Sequence, residues 1–329
     1  MRPLCLLLGG VLLAAGPPAF SQSQTTELES VHGLPNVDKT TQTEDIKFKN
    51  DQNDRMTVPV RLSGEGPFRF LVDTGADRTA VSRQLATRLN MQAGQNAELH
   101  SIAGASTIST ATIPRLQLTS KEIRNINAPL LEGENMGADG ILGADALRSQ
   151  RILFDFKSNT LSIVPSAVPE VKDDPNSIVI VGSRRNGRLV ITRAMANDTP
   201  VVVVIDTGSQ VTIGNRALRR ALSHGGYLSG SHSVEIESVT GEKISGDYTF
   251  VSELAVGGVT LKDLAIVFTD AHTFKQLNLD KTPALLLGMN AMRAFKKVSI
   301  DFANKKLRVV LPEESMLDVK LAAATGRRD

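Results

Sequence analysis

Apolar residues along the chain come in short runs separated by turn-forming residues, which is typical of β-strands joined by tight turns. Met56–Leu62 is followed by a turn at Gly64–Pro67 and then by a second apolar run at Phe68–Val72. The same order recurs at Leu189–Met195 and Val201–Ile205, with another turn between the two runs. Each pair of runs therefore predicts a β-hairpin.

The two hairpins belong to an internal repeat. Residues 188–215 align with residues 55–82 at a constant offset of 133, without a gap, so that Asp206 matches Asp73. A helix N-cap followed by a short helix is predicted at the equivalent place of each copy. These are Ser82 before Arg83–Leu89, and Asn215 before Arg216–Leu222.

The ends of the two copies match as well. Gly140–Gly143 corresponds to Leu285–Gly288 at an offset of 145, and the strands that follow match at an offset of 146. Three prolines and a run of charges between the copies are typical of a linker. The chain is therefore predicted to consist of two homologous, strand-rich lobes at residues 46–164 and 178–312, joined by a linker at residues 165–177.

The N-terminal segment is predicted to direct export. Residues 1–21 combine an early arginine, a 12-residue apolar run and small residues before a cleavage point after Ser21, as secretory signal peptides do. The apolar run is too short to cross about 30 Å of hydrocarbon, so no stable membrane span is expected after cleavage. We expect an exported protein, periplasmic or secreted. A flexible lead-in is predicted at residues 22–45, and residues 313–329 form a tail without an assigned role.

Composition removes several classes of function. Lys and Arg number 37 and Asp and Glu number 35, so the formal charge of +2 gives no reason to expect a nucleic-acid partner. Cys5 is the one cysteine of the sequence, which excludes an intrachain disulfide and a cysteine-based zinc site. The five histidines lack a metal-ligand spacing such as H-E-x-x-H. We therefore expect no cofactor and no metal.

Both copies place the sequence Asp-Thr-Gly directly after a predicted apolar strand, at Asp73 and Asp206. One such motif is also compatible with a simple turn, because Asp and Gly favour turns. Two motifs at equivalent positions favour two lobes that meet across a two-fold axis and bring their carboxylates together. Like charges about 3 Å apart cannot both be ionised, so such a pair would hold one shared proton. The pair could then activate a water for amide hydrolysis without a metal or a nucleophilic side chain.

These motifs resemble those of the aspartic proteases, and more narrowly those of the bacterial retropepsin-like aspartyl proteases. Leu71–Asp77 is close to the retroviral-type signature, and Asp139–Leu147 matches the D-G-I-L-G-x-D-x-L pattern of the bacterial group. The resemblance extends from about Ile46 to Pro312. It implies an all-β fold of two homologous β-barrel lobes with short helices, related by a pseudo-two-fold axis. It also implies an aspartic-type endopeptidase that binds a peptide or protein substrate in an extended conformation.

The resemblance implies roles for individual residues as well. Asp73 and Asp206 would be the catalytic pair, and the segments Ile141–Gly143 and Leu286–Gly288 would pack behind the active-site loops. The other implied residues are the flap glycines Gly104 and Gly241, and the supports of the two active-site loops, Thr74, Gly75, Ala76, Thr207, Gly208 and Ser209.

The chain departs from the family pattern after the apolar-apolar-Gly element. Retroviral enzymes carry an arginine there, which pairs with an aspartate like Asp77, whereas this chain has Ala144 and Met289. The second copy also has Gln210 in the place of Asp77. The ion pair is therefore not expected in its usual form.

The two copies also differ directly after the motif, where Ser209 stands in the place of Ala76. We expect the Ser209 hydroxyl to donate to the Asp206 carboxylate and to favour its charged form. The shared proton would then reside mostly on Asp73.

Two alternatives to a single-chain protease stay open. A non-enzymatic peptide-binding module would have the same fold, because fold alone does not establish activity. In a homo-oligomeric protease, each lobe would instead pair with a lobe of another chain. The linker of about a dozen residues favours pairing within one chain because it raises the effective concentration of the lobes, so a monomeric pseudo-dimer is expected.

Overall fold

The computed structural model describes residues 26–28, 56–118, 121–169, 176–228 and 230–312. The predicted signal peptide and the C-terminal tail lie outside the described residues. Of the predicted lead-in, the structure describes strand β1 (Thr26–Leu28), which pairs in parallel with Val259–Leu261. Within the described ranges, no helix combines the length and the apolar character that a membrane span needs.

The described residues of lobe 1 form ten strands and three short helices. These are β2 (Thr57–Leu62), β3 (Glu65–Val72), β4 (Ala80–Ser82), α1 (Arg83–Arg88), β5 (Ala97–His100), β6 (Ala105–Ile108), β7 (Thr110–Leu118), β8 (Lys121–Leu131), α2 (Gly133–Met136), β9 (Gly140–Leu142), α3 (Ala144–Leu147), β10 (Gln150–Asp155) and β11 (Thr160–Pro165).

Lobe 2 repeats this order with two differences. Its elements are β12 (Ser177–Val181), β13 (Ser183–Arg185), β14 (Arg188–Ala196), β15 (Thr199–Ile205), β16 (Thr212–Gly214), α4 (Arg216–His224), β17 (His232–Glu237), β18 (Lys243–Val256), β19 (Val259–Phe268), α5 (His272–Gln276), β20 (Ala284–Leu287), α6 (Met289–Met292), β21 (Lys297–Asp301) and β22 (Lys306–Val310). The order of lobe 1 is repeated from β14 onward, with one long strand, β18, in the place of β6 and β7, and two additional strands, β12 and β13, lie at the start of lobe 2.

Six strands of each lobe close into a barrel. In lobe 1 the order is β2-β3-β9-β4-β8-β7, and β7 pairs again with β2. In lobe 2 the order is β14-β15-β20-β16-β19-β18, and β18 pairs again with β14. Equivalent pairs have the same direction in both lobes; for example, β3–β9 and β15–β20 are both parallel. The predicted all-β fold of two homologous barrels is therefore confirmed.

The lobes share a third sheet, with the order β11-β10-β21-β22-β12. Strand β10 of lobe 1 pairs antiparallel with β21 of lobe 2, and Leu153 faces Ser299 in that register. These two residues are also equivalent in the repeat, at the offset of 146. A residue that pairs with its own counterpart marks a two-fold axis, so the pseudo-two-fold axis passes between Leu153 and Ser299.

Local sequence signals explain where the two longest helices, α1 and α4, begin. The Ser82 hydroxyl accepts a hydrogen bond from the Leu85 N–H at the start of α1, and the Asn215 side chain accepts one from Leu218 at the start of α4. Both predicted N-caps are therefore confirmed. Such caps satisfy backbone donors that the first turn of a helix cannot pair internally.

Candidate active site

The two Asp-Thr-Gly motifs lie where β3 and β15 end. The backbone N–H of Asp73 donates to the Leu142 carbonyl at 3.0 Å, and that of Asp206 donates to the Leu287 carbonyl at 3.1 Å. Each aspartate is thus held by the strand that runs parallel to its own, β9 in lobe 1 and β20 in lobe 2. The segments that were predicted to pack behind the loops therefore do so.

Backbone donors hold each carboxylate in its loop. Asp73 Oδ1 accepts hydrogen bonds from the N–H groups of Gly75 at 2.8 Å and Ala76 at 3.0 Å. Asp206 Oδ1 accepts one from Gly208 at 3.0 Å.

The glycines of the motifs bring the two carboxylates together. A Cβ placed on Gly75 would lie 2.5 Å from Asp206 Oδ1, and a Cβ placed on Gly208 would overlap both carboxylate oxygens of Asp73. Each glycine thus lies against the aspartate of the other lobe. Only a residue without a side chain fits this approach, which gives the third residue of the motif its physical reason.

The threonines of the motifs join the lobes through four reciprocal hydrogen bonds. Thr74 Oγ1 donates to the Ile205 carbonyl at 2.8 Å and accepts from the Thr207 N–H at 3.0 Å. Thr207 Oγ1 donates to the Val72 carbonyl at 2.7 Å and accepts from the Thr74 N–H at 3.1 Å. Both threonines are buried. This network fixes the two aspartate loops relative to each other.

The pKa of Asp206 is raised from its ordinary value to about 7. Burial of the carboxyl group is the main cause, and the nearby charge of Asp73 is the second. The positive charge of Arg188 and the N–H groups of Gly208 and Ser209 oppose the rise. The pair therefore retains a proton up to neutral pH, as two adjacent carboxylates must.

Comparison with family models finds one match in each lobe. Residues 58–149 match a family described as "gag-polyprotein putative aspartyl protease", and residues 192–291 match a family described as "Aspartyl protease". The two matches lie in tandem and together cover more than half of the chain. The chain belongs to the retropepsin-like aspartyl proteases. A search of curated proteins found no match to this aspartyl protease.

One prediction about the protease loops is wrong. The Ser209 hydroxyl donates to the Val211 carbonyl at 2.6 Å instead of to the Asp206 carboxylate. Ser209 acts on Asp206 through its backbone N–H. The raised pKa of Asp206 reflects its closeness to Asp73, so the two carboxylates share one proton.

Arg188 is a site residue that the sequence reasoning did not identify. It lies at the start of β14 in lobe 2, with only 10% of its side chain exposed, and its Nη1 is 3.3 Å from Asp77 Oδ1 in lobe 1. Its Nε donates to the Gly75 carbonyl at 2.8 Å. Asp77 therefore does pair with an arginine. This arginine comes from the other lobe and does not follow the apolar-apolar-Gly element, so the usual form of the ion pair is absent, as expected.

The sequence also did not predict two equivalent polar contacts, one in each lobe. Asp145 Oδ1 accepts hydrogen bonds from the Thr79 N–H at 2.9 Å and the Thr79 hydroxyl at 2.7 Å. In lobe 2, Asn290 Oδ1 accepts the equivalent bonds from Thr212, both at 2.8 Å. These polar pairs connect the chain after each active-site loop to the helix that follows the apolar-apolar-Gly element.

Both predicted flap glycines lie at hairpin tips. Gly104 lies between β5 and β6, and Gly241 lies between β17 and β18 with a φ of +83°. Each tip contacts the opposite lobe. The carbonyl of Ile102 accepts from the His272 N–H at 2.9 Å, and a Cβ on Gly241 would lie 2.8 Å from Asn135 Nδ2.

A small pocket lies beside Asp73, next to the second flap. Its lining includes Asp73 and Gly208 together with the apolar side chains of Leu71, Ile141 and Val239, the last of which belongs to the second flap. Its volume is about 20 Å³, room for roughly one water molecule. Among the residues described, no cluster of three or more His, Cys, Asp or Glu side chains is placed to hold a metal ion.

Proposed function

We propose that this aspartyl protease is an aspartic endopeptidase that hydrolyses peptide bonds with a water held between Asp73 and Asp206. The observation that carries the proposal is the pairing of the two carboxylates. Each lies against the glycine of the other lobe, and the pKa of Asp206 is raised to about 7. A proton shared at neutral pH is what general acid/base activation of water needs.

We assign the proton of the resting pair to Asp206, whose pKa is raised to about 7, and the role of base to Asp73. Asp73 is then the ionised member and takes a proton from the water. The water oxygen attacks the carbonyl carbon of the substrate while protonated Asp206 gives its proton to the carbonyl oxygen. In the second step Asp73 gives the proton it took to the leaving nitrogen, the carbon–nitrogen bond breaks, and one hydroxyl of the intermediate returns a proton to Asp206.

The substrate is a peptide or protein segment in an extended conformation. The pocket beside Asp73 is narrow, and Val239 of the second flap hairpin forms part of its lining. An extended strand is thin and can pair with hairpin backbone groups. A helix is about 10 Å wide and is too thick for this narrow space. The apolar lining of the pocket favours an apolar side chain next to the scissile bond.

We also propose that the protein is exported to the periplasm or secreted, and that one chain forms the whole active site as a monomeric pseudo-dimer. The export proposal rests on the sequence of residues 1–21 and is tested by the N-terminal sequence and mass of the protein recovered outside the cytoplasm. The Thr74–Thr207 hydrogen bonds within one chain support the single-chain arrangement. Digestion of a denatured protein mixture distinguishes the protease from the alternative, a non-enzymatic peptide-binding module.

Digestion of a denatured protein mixture at pH 4 to 7 tests the enzyme proposal. We expect peptide products from the wild type and none from Asp73→Asn. Asp280→Asn, an exposed carboxylate on the surface of lobe 2, is the matched control and should retain full activity. Equal cleavage by the wild type and Asp73→Asn, or no cleavage by either, would contradict the proposal. A wild type that binds peptides without cleaving them would support the binding module instead.

A further inference from the structure

The first flap contacts lobe 2 through two histidines. His100 ends β5 and His272 begins α5, and His100 Nδ1 lies 3.0 Å from His272 Nε2. The ring planes differ by only 16° and the ring centroids are 5.2 Å apart. The centroid separation exceeds the nitrogen separation by about two ring radii, so the rings meet end to end instead of face to face. This is the geometry of a linear hydrogen bond between two imidazoles.

Such a hydrogen bond exists only while one of the facing nitrogens carries no proton. Neutral imidazole has one N–H and one bare nitrogen, whereas both nitrogens of a charged imidazole are donors. Gln276 adds to this requirement, because its Nε2 lies 3.1 Å from His272 Nε2 and 3.3 Å from His100 Nδ1. An amide N–H can donate only to a ring nitrogen that accepts. Full protonation of both rings therefore removes the acceptor that all three groups share.

Burial of the ring and two nearby cationic side chains oppose protonation of His272. Desolvation is the largest cause that lowers the pKa of His272, followed by the nearby His100 and Lys275, while Glu98 acts in the opposite direction. Glu98 Oε2 lies 3.8 Å from His100 Nε2, on the side of that ring away from His272. Arg185, from the β13–β14 hairpin, donates to the Leu277 carbonyl at the end of α5.

The histidine pair adds a polar contact to the apolar contacts of the flap hairpin, in which Leu99 and Ile108 pack on the lobe 1 core and Ile102 packs on the lobe 2 core. Strands β5 and β6 form a two-stranded sheet that is separate from the lobe 1 barrel. A two-stranded hairpin is marginally stable by itself in water. Next to the histidines, the Ile102 carbonyl accepts from the His272 N–H, so the same residue of α5 holds both the strand end and the tip of the flap.

We propose that His100 and His272 form a pH-sensitive latch, which holds the first flap against lobe 2 while either facing nitrogen is unprotonated and releases it when both are protonated. This regulation rests on the proposed function, because the flap controls access to the aspartates only if substrate is bound there. The lowered pKa of His272 sets the direction in which the latch responds to pH. The released state takes up a proton more readily than the latched state, so the latch weakens as pH falls below 6.5, the ordinary value. The active site would then open to large substrates in acid and stay covered at neutral pH.

A distance measurement between the flap and lobe 2 tests the latch without relying on catalysis. Spin labels are placed on cysteines at two exposed sites, Thr107 on β6 and Arg220 on α4, in a chain that carries Cys5→Ser. Pulsed electron resonance at pH 8 and pH 5 then gives the populations of latched and released flap. We expect the released fraction to rise about fivefold or more at pH 5, the ratio that loss of one ordinary hydrogen bond produces.

His272→Gln decides whether the histidine pair is the cause. Glutamine keeps a donor and an acceptor but carries no charge, so we expect the flap to stay latched at both pH values. His232→Gln, an exposed histidine on the second flap, is the matched control and should retain the opening of the wild type. The proposal is overturned if His272→Gln opens like the wild type, or if the wild type does not open at pH 5.

Asp73→Asn separates the latch from titration of the two aspartates. We expect the flap of this variant to open at pH 5 as in the wild type, even though proteolysis is lost. Opening that disappears in Asp73→Asn and persists in His272→Gln would assign the pH dependence to the aspartates and overturn the latch. A failed protease proposal would leave these distances unchanged, so the two failures are distinguishable.

Discussion

Arg188 of lobe 2 reaches Asp77 of lobe 1, with Nη1 3.3 Å from Oδ1, and its Nε also donates to the carbonyl of Gly75 in the loop of the first aspartate. The arginine is almost completely buried between the lobes, while the Asp77 side chain is 56% exposed. The same guanidinium lowers the pKa of Asp206, against the effects of burial and of Asp73. One residue therefore joins the lobes and adjusts the charge of the dyad. The arrangement is asymmetric, because lobe 2 has Gln210 where lobe 1 has Asp77.

Arg188→Met should move the pH dependence of proteolysis. Removing the positive charge raises the pKa of Asp206 further, so its protonated form persists to higher pH. We expect the alkaline limb of kcat/KM to shift to higher pH, with a lower maximum because the Gly75 loop loses a hydrogen bond. Arg220→Met on the exposed face of α4 is the control and should leave the profile in place. An alkaline limb that stays in place or moves to lower pH in Arg188→Met would contradict the electrostatic role.

Thr74→Val should weaken the contact between the lobes. The substitution keeps the shape of the side chain but leaves the Ile205 carbonyl and the Thr207 N–H without their partner in a buried place. We expect a loss of about 2–3 kcal/mol in the free energy of unfolding, measured in urea. Thr74→Ser retains the hydroxyl and should lose less than half as much. Equal losses for the two variants would show that packing of the methyl group, and not hydrogen bonding, holds the loops together.

Gly208→Ala should separate activity from folding. The new methyl group would overlap the Asp73 carboxylate, which must move out of its place beside Asp206. We expect a loss of about 100-fold or more in kcat, since small displacements of reacting groups have effects of that size. Gly226→Ala, where a Cβ meets open space but φ is +72°, is the control, with a small loss of stability and normal activity. Normal activity of Gly208→Ala would place the reacting groups elsewhere.

Much of this site could be predicted from the sequence because the active-site motif occurs in both copies of the internal repeat. The repeat that superposes Asp206 on Asp73 predicts two equivalent lobes, and Ser82 and Asn215 mark the helix starts by local hydrogen bonding alone. The repeat also implies that both lobes pair equivalent strands in the same order, as the two barrels do.

Contacts between residues far apart in the chain could not be predicted in the same way. The Arg188–Asp77 pair joins residues of different lobes, and the alignment of Arg188 with Arg55 is the one sequence signal that could have suggested it. The Ser209 hydroxyl has a carbonyl within two residues that competes with the Asp206 carboxylate, and the sequence does not say which it prefers. His100 and His272 are 172 residues apart, so no local spacing relates them.

Asp206→Asn should change how stability depends on pH. The pKa of Asp206 is raised in the folded protein from 3.8 to about 7, so the folded state holds a proton there that the unfolded chain releases between these values. The contribution of this group to stability is therefore present below about pH 3.8 and is lost as pH rises to 7. We expect the stability of Asp206→Asn relative to the wild type to increase as pH rises from 4 to 8, by a few kcal/mol in total.

Urea unfolding of Asp206→Asn, Asp280→Asn and the wild type at pH 4, 6 and 8 checks this sign. Asp280 is exposed, so its variant should follow the wild type at every pH. A difference between Asp206→Asn and the wild type that is constant with pH, or that falls as pH rises, would contradict the raised pKa of Asp206.

If two aspartates of one chain form one peptide-cleaving site, neither single variant should recover activity when it is mixed with the other. Cleavage of one peptide is measured with the wild type, with Asp73→Asn, with Asp206→Asn and with an equimolar mixture of the two variants. We expect activity of the wild type that is proportional to its concentration, no activity of either variant, and none of the mixture. Activity recovered on mixing would mean that lobes of different chains form the site, and activity retained by either variant would mean that the dyad is not the catalyst.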